Sequence, residues 1–275
     1  MSKITAYDAA DSFPSDGVFL IASATNAKTY KMTLATAAEL FPASLNAMNR
    51  RNLYQEKSLG SSVTSTQLSN ISGGTFSGLF VGNYWQINSV YYDVADMDYW
   101  HNEGDTAFTK HHLVIVPRSS LGSAQMNSSN TTEGGYVGSE MYTTNMDTAK
   151  ATIEAAFGDA LLTHREYLTT AVSSGVASAG AWYDSCIELM NQCMCYGYQP
   201  FTPACGASVP NQYTIDKQQL TLFMLNPKRL NVRVSFWLRD IVSAANFAFV
   251  YGYGNCFYNY ASNSGAVRPA FPIGA

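Results

Sequence analysis

The sequence predicts an α+β fold in which antiparallel strands predominate. Short segments rich in β-branched and aromatic residues recur from Phe76 to the C-terminus, and Gly, Asn, Ser or Pro bound each of them. Two segments have apolar residues at helical spacing, and long turn-rich stretches separate the elements. This pattern indicates a compact domain over residues 76–275, preceded by a small unit at residues 1–45 and a linker at residues 46–75.

The N-terminal unit is predicted to be a β-hairpin followed by a short helix. Residues 17–23 (GVFLIAS) and 28–34 (KTYKMTL) have the composition of strands and flank a turn around Asn26. Thr36 and Glu39 have capping-box spacing for the helix. A unit of this size buries too little apolar surface to be stable alone. We therefore expect it to associate with copies of itself or with a larger assembly.

Three strands are predicted early in the main domain. The linker before them is rich in Ser, Thr, Asn and Gly and ends at Gly73-Gly74. Residues 79–98 form two strand-like runs that turn at Asn88-Ser89. Residues 111–117 (HHLVIVP) are strongly β-branched, which favours a strand.

Two helices are predicted from apolar spacing. In residues 145–158 (NMDTAKATIEAAFG) the apolar positions follow a helical period, Asn145 can cap the start and Gly158 can end the helix. Residues 185–197 (SCIELMNQCMCYG) form the second predicted helix, with Gly197 at its end.

The C-terminal segments predict an antiparallel sheet, with strands at residues 235–240, 247–251, 256–261 and 266–273. Arg239 and Arg268 adjoin apolar strand residues. We expect both to be structural, since a guanidinium can tie loops together through carbonyls and carboxylates such as Asp240.

Composition excludes several classes of protein. Charged residues make up 13% of the chain, against a usual value of about 25%, and the net charge is −4. No basic cluster extends beyond Arg50-Arg51, so a phosphate-binding surface for nucleic acid is not expected. No apolar run reaches the roughly 20 residues that span a bilayer, and the start lacks the apolar core of a signal peptide. We therefore expect that the protein does not insert into a membrane and that it is assembled in a cytoplasm.

Residues 246–263 are the candidate recognition surface. The segment is rich in aromatic residues and asparagine and carries no charge. Tyrosine and asparagine suit recognition because they combine large contact area with adaptable hydrogen bonding. If Val250 faces the core, strand alternation turns Phe249, Tyr251 and Tyr253 outwards, and on the return strand Asn255, Phe257 and Asn259 alternate with Cys256 and Tyr258. With two further residues, the predicted displayed set has eight members: Phe249, Tyr251, Tyr253, Asn255, Phe257, Asn259, Tyr260 and Asn263. The alternative for each residue is that it fills the core or a subunit interface.

One group of acidic and histidine residues could in principle hold a divalent metal: Asp93, Asp96, Asp98, His101, Asp105, His111 and His112. The alternative is that these residues make hydrogen bonds at strand ends and turns. Adjacent residues on a strand point to opposite faces, so His111 and His112 do not readily share one ion. We predict no metal and no cofactor.

No catalytic residues are predicted. The five cysteines are an odd number, which argues against a closed disulfide framework. Cys205 and Cys256 lie outside the predicted second helix, and nothing in the sequence marks either as activated. G-x-S-x-G, P-loop and H-E-x-x-H motifs are absent from the sequence. We therefore expect a protein that is not an enzyme.

Several motifs near the C-terminus carry a family resemblance. They are Trp237-Leu238-Arg239, the small-residue turn at residues 243–248, the glycines Gly252 and Gly254, and the closing AVRPAF at residues 266–271. Together they resemble the variable proteins of diversity-generating retroelements and related phage virion proteins. The resemblance covers about residues 82–273 and implies a C-type-lectin-like fold. One departure is Ala266, which follows Gly265 where the family motif has glycine directly before Val-Arg-Pro.

The resemblance also implies a function. Such proteins display varying residues on a constant scaffold, so the chain is expected to be a bacteriophage virion protein, made in the bacterial cytoplasm, that binds a host-surface glycan or protein. The N-terminal segment resembles the attachment segments of tail-fibre and head-fibre proteins, which implies docking to other virion proteins and a homo-oligomer, in particular a trimer. The alternatives are a structural capsid-decoration or head-fibre protein and, third, a carbohydrate-active enzyme.

Overall fold

The computed structural model describes residues 18–22, 29–33, 51–201 and 214–275. Contacts divide the chain into two units, residues 1–46 and residues 47–275. In the first unit the structure describes an antiparallel hairpin of β1 (Val18–Ala22) and β2 (Thr29–Thr33), in which Val18 is opposite Thr33. The predicted hairpin is confirmed. The helix predicted to start at Thr36 lies outside the described residues.

The second unit is mixed and mostly made of sheet, which confirms the predicted α+β class at that level. Within the described residues of this unit, the strands form two open five-stranded sheets and one separate hairpin. The strands are β3 (Tyr84–Ile87), β4 (Val90–Met97), β5 (Leu113–Pro117), β6 (Ser123–Ala124), β7 (His164–Ser173), β8 (Val176–Ser185), β9 (Glu188–Leu189), β10 (Phe236–Ile241), β11 (Asn246–Val250), β12 (Cys256–Tyr260), β13 (Gly265–Ala266) and β14 (Pro269–Ile273). The α-helices are α1 (Ser65–Ser72), α2 (Asp147–Phe157), α3 (Gln192–Tyr196) and α4 (Thr221–Leu225), with a π turn at Met141–Asn145 and 3₁₀ turns at Gly158–Ala160 and Pro227–Arg229.

The first sheet has the order β3-β4-β5-β14-β9 and brings the first three strands of the unit together with its last strand. Its opening hairpin turns at Asn88 and Ser89, which have φ values of 48° and 67°. Two central residues in the left-handed region are typical of a tight hairpin turn, so the predicted turn is confirmed. The last strand, β14, pairs with β5 through Phe271 and Ile115.

The second sheet has the order β12-β11-β10-β13-β6 and carries the candidate recognition segment at one edge. Phe249 on β11 is opposite Phe257 on β12, and Val250 is opposite Phe236 on β10. Apolar clusters cover both faces of the central strands. Phe236 and Val250 belong to one cluster, whereas Trp237 and Phe249 belong to another.

The long hairpin β7–β8 has no counterpart in the sequence prediction. Its turn consists of Ser174 and Gly175, both with positive φ. Residues 176–181 (VASAGA) are mostly small and have weak strand propensity. The hairpin is stabilised instead by cross-strand pairs, among them Tyr167 and Trp182, whose ring centroids are 5.2 Å apart.

The first predicted helix is confirmed as α2, and the second is wrong in its first half. α2 follows Met146 without a side-chain cap, so Asn145 does not cap it. In the second segment, Glu188 and Leu189 form strand β9 and pair with β14. Helical spacing was misleading because this long-range pairing overrides local propensity. The helix is therefore limited to α3, which Asn191 caps and Gly197 ends with a φ of 77°.

The segment predicted as a linker is structured over its described part, residues 51–75. Tyr54 and Ser58 make isolated parallel bridges to Val81 and Tyr84. Helix α1 begins with a reciprocal capping box between Thr64 and Gln67. These contacts place residues 51–75 in the same compact unit as the sheets. In the part of the chain that the structure describes, no helix has the length and apolarity to cross a membrane.

Candidate functional site

Among the described residues of the second unit, the turn between β11 and β12 is the most exposed aromatic feature. The backbone N–H of Gly254 donates to the carbonyl of Tyr251 at 2.7 Å and closes the turn. Gly254 has a φ of +87°, which favours glycine. The Tyr253 side chain is 85% exposed and that of Tyr251 is 40% exposed. The turn therefore holds two tyrosines in solvent on a defined backbone.

A neighbouring loop, residues 231–235, fixes this turn. The backbone N–H of Arg233 donates to the carbonyl of Gly252 at 2.9 Å, and the Gly252 N–H donates to the Ser235 hydroxyl at 3.0 Å. A Cβ at Gly252 would lie 2.9 Å from the carbonyl carbon of Arg233, so this approach requires glycine. On another side, the Tyr196 hydroxyl donates to the Gly254 carbonyl at 3.0 Å. The tyrosines are consequently presented by a well-supported loop pair.

Strand β12 and a distant loop extend the aromatic surface. The Phe257 ring lies 5.0 Å from that of Tyr251 and 4.7 Å from that of Tyr258. The Phe201 ring lies 5.8 Å from that of Phe257 and 5.5 Å from that of Tyr258. Aromatic clusters with exposed members mark interaction surfaces. We call this surface the aromatic face and define it as Phe201, Tyr251, Tyr253, Phe257, Tyr258 and Tyr260.

The structure displays most of the eight predicted residues. Five are exposed: Tyr251, Tyr253, Asn255, Tyr260 and Asn263. Phe257 and Asn259 are half-buried, and the Asn259 side-chain oxygen accepts a hydrogen bond from the Asn263 amide at 2.6 Å.

The prediction that Phe249 is displayed is wrong. Phe249 is 4% exposed, and its ring packs on Trp237 at 4.6 Å. The alternation with Val250 is correct, but an apolar cluster covers each side of β11. A strand covered on both faces buries both sets of side chains.

Three residues of this region were missed by sequence reasoning. Tyr258 was not included in the predicted displayed set, yet it is exposed at the sheet edge. Phe201 lies far away in the sequence, in a turn-rich stretch without periodicity. Arg233 is exposed beside the turn, and only the backbone contact with Gly252 brings it there.

A surface cleft of about 510 Å³ lies beside the turn. Tyr251, Gly252 and Tyr253 form one side, and Asn231, Arg233 and Ser235 form the other. Its volume is within the range of about 300–1,000 Å³ that is usual for ligand pockets. Aromatic rings, a hydroxyl, an amide and one guanidinium therefore converge on it.

Most residues of the acidic and histidine group do not lie together, because three of its carboxylates pair with different arginines. Asp93 accepts from Arg118 at 2.6 Å, Asp96 from Arg51 at 3.1 Å, and Asp105 from Arg165 at 2.8 Å. His112 is buried, and burial lowers its pKa to about 4, so it is neutral at pH 7. These contacts agree with the hydrogen-bonding interpretation of the group.

Three of these residues do come together: Asp98, His101 and His111 have potential ligand atoms within 4.8 Å of one another. His111 Nδ1 is 2.8 Å from Asp98 Oδ2, and the two imidazole rings stack at 4.6 Å and 5°. An imidazole ligates through a lone pair in the plane of its ring. A single ion cannot lie in two parallel planes, so a shared metal would require one ring to turn.

A second polar group is buried beneath β10. Arg239 donates to Asp216 and, at 3.1 Å, to the Leu189 carbonyl, and it also lies 3.3 Å from Glu166. Trp100 donates to the other oxygen of Asp216 at 2.6 Å. These contacts support the expected structural role of Arg239, although its carboxylate partners are Asp216 and Glu166 and not Asp240.

Burial changes the protonation of this second group. It raises the pKa of Asp216 to about 7 and that of Asp240 to about 6, and it lowers the pKa of His164 to about 4. The adjacent cavity is only about 20 Å³, which is room for about one water molecule. The perturbed groups are thus enclosed and not open to a substrate.

No family model matches the chain, and no curated protein or solved structure matches it. The motifs of the sequence and the geometry of the aromatic face are accordingly the basis for a function.

Proposed function

We propose that the chain is a bacteriophage virion protein whose C-type-lectin-like domain binds a ligand on the host surface through the aromatic face. The observation that carries this proposal is the turn at Tyr251–Gly254. It holds two tyrosines in solvent, next to a cleft, on a backbone that two other segments support. Rigid, amphipathic aromatic side chains of this kind dominate the energetics of recognition.

The division between buried and exposed residues supports the resemblance. The motif residues Trp237, Leu238 and Arg268 are buried. Between these motifs the tyrosines are exposed, and so are Asn255 and Asn263. Arg268 donates to the Pro117 carbonyl at 2.8 Å and lies against the Phe236 ring. A buried constant scaffold with an exposed variable surface is the arrangement that the retroelement-type proteins use.

A binding role is favoured over catalysis because the perturbed carboxyl groups and the open cleft are in different places. Asp216 and Asp240 are buried, whereas the cleft beside Tyr253 has no carboxylate in its lining. Catalytic acids and bases must reach their substrate. Weak single sites would gain strength by repetition on the particle, which agrees with the proposed homotrimer and with docking to other virion proteins through the N-terminal unit.

The structural alternative is supported by a different surface. Leu53, Met224 and Leu225 are exposed apolar residues outside the aromatic face. If the chain is mainly a capsid-decoration or head-fibre protein, residues of this kind are the expected contacts with sister subunits.

The test compares two triple variants on cells of the bacterium that the encoding phage infects. Replacing Tyr251, Tyr253 and Tyr260 by alanine removes exposed anchors and leaves the half-buried Phe257 in place. We expect cell binding to be lost and the melting temperature to change little, because substitutions at exposed sites usually change stability by about 0.5 kcal/mol or less.

The matched control replaces Leu53, Met224 and Leu225 by alanine. We expect this variant to bind cells as the wild type does. The structural alternative is the better one if the control variant changes the sedimentation of the oligomer while the tyrosine variant binds cells and sediments as the wild type does.

A further inference from the structure

Arg233 is the exposed arginine that makes no ion pair within the described residues. These residues contain seven arginines. Five of them pair with carboxylates: Arg51, Arg118, Arg165, Arg229 and Arg239. Arg268 is fully buried. Arg233 therefore differs from the others in being an available cation at the surface.

The backbone at Arg233 is held in a sparsely populated conformation. Its φ is +59°, in the left-handed region that favours glycine over a long side chain. The hydrogen bond to Gly252 and the close packing of the two backbones maintain this conformation. Strained residues persist where surrounding structure fixes them, and they concentrate at functional sites. The conformation places the arginine on the cleft beside Tyr251 and Tyr253.

The segment that carries the β11–β12 turn supplies no carboxylate that could compete for this cation. The sequence from Ile241 to Val267 contains no charged residue. Among the residues that line the cleft, Arg233 is the only charged one. An anionic ligand would therefore meet one fixed positive charge and no like charge from the lining.

We propose that this cleft binds a saccharide that carries a carboxylate, a refinement that rests on the proposed binding function of the aromatic face. The planar guanidinium of Arg233 can donate two parallel hydrogen bonds to a carboxylate. The rings of Tyr251 and Tyr253 offer apolar surface to the C–H face of a sugar, and Asn231 and Ser235 offer polar atoms at the rim.

A saccharide fits the dimensions of the cleft. The single charge of this surface lies in a cleft of about 510 Å³, which is within the range of volumes usual for small-ligand pockets. Ligand-sized clefts of mixed aromatic and polar lining are the usual form of a small-molecule site.

The experiment uses the full-length oligomer and three acidic polysaccharides: polygalacturonate, alginate and hyaluronate. Each is immobilised beside its carboxyl-reduced form, which differs by loss of the carboxylate. We expect binding to at least one acidic polymer and loss of that binding on the reduced form. Arg233→Gln should weaken it about tenfold or more, as expected for a hydrogen bond to a charged group, and Arg233→Lys should be intermediate because it keeps the charge without the fork.

Lys217→Gln is the matched control, because it removes an exposed positive charge outside the cleft lining. Binding by this variant should equal that of the wild type. The inference is overturned if none of the three polymers binds, if the reduced forms bind equally well, or if Arg233→Gln binds as the wild type does. When the tyrosine triple variant still loses cell binding in that case, the aromatic face remains the binding surface and only the acidic-saccharide ligand is rejected.

Discussion

Strand β10 and the β11–β12 turn lie close together in the sequence and differ in almost every physical respect. β10 is buried along its whole length and includes two charged residues, Arg239 and Asp240. The turn at Tyr251–Gly254 is uncharged, and its tyrosines are exposed. Soluble proteins usually show the reverse arrangement. The difference indicates that charge here fixes the scaffold, whereas the exposed surface relies on aromatic area and neutral hydrogen-bonding groups.

The largest effect is expected from breaking the buried side of this comparison. Arg239→Met would leave Asp216 and Glu166 buried without their cation. Removing one partner from a buried ion pair costs about 3–5 kcal/mol, and chemical denaturation should report a loss of that size. Arg233→Gln is the exposed counterpart and should stay within about 0.5 kcal/mol of the wild type. Equal losses in the two variants would contradict the assigned difference.

A smaller effect is expected where scaffold and turn meet. Gly252→Ala places a Cβ 2.9 Å from the Arg233 backbone, which neither segment can easily avoid. Overpacking typically costs about 1–3 kcal/mol. We expect a moderate decrease in melting temperature together with weaker cell binding, because the support of both tyrosines and Arg233 is shifted. Unchanged binding would show that the loop contact does not position the face.

The pH dependence of stability can isolate the buried carboxyl group. Burial raises the pKa of Asp216 to about 7. The contribution of this group to the free energy of unfolding is therefore fully present at pH values below its unfolded pKa of about 3.9. This contribution is lost as the pH rises toward 7. His112 and His164, whose pKa values are lowered to about 4, act in the opposite direction. Their contribution to the stability of the folded state is lost as the pH falls below about 6.5.

The contribution of Asp216 is therefore measured as a difference. The free energy of unfolding of the wild type minus that of Asp216→Asn should decrease between pH 4 and pH 7 in urea titrations. A difference that does not vary with pH would mean that this carboxyl group titrates normally in the folded state.

The smallest expected effect concerns Asp98, His101 and His111. Because the two rings are stacked, we expect EDTA or equimolar Zn²⁺ to leave the melting temperature unchanged within error. A rise of several degrees with Zn²⁺ that disappears in His101→Ala would show that the rings turn and share an ion.

Local signals predicted much of the fold. The turn at Asn88-Ser89 has turn residues, helix α2 has an apolar helical period, and strand β5 is rich in β-branched residues. Failures occurred where distant contacts decide the outcome: Glu188 and Leu189 pair with β14, and the small residues of β8 gain strand structure only from pairing with β7.

The candidate site shows the same limit. The exposure of Tyr251 and Tyr253 follows from composition and alternation. The burial of Phe249 does not, because alternation alone cannot tell whether a second layer covers a strand. Arg233 and Phe201 join the site only through tertiary contacts, and no local pattern marks either residue.

The proposal that the aromatic face binds a host receptor is tested most directly by the position of the turn on the virus particle to which the chain is proposed to belong. In a cryo-electron microscopy reconstruction of the particle, we expect Tyr251–Gly254 and β12 to face solvent at the outer surface, free of contacts with sister subunits. Burial of these residues against a neighbouring subunit or the capsid would contradict a receptor-binding face and would make the aromatic residues part of an assembly interface.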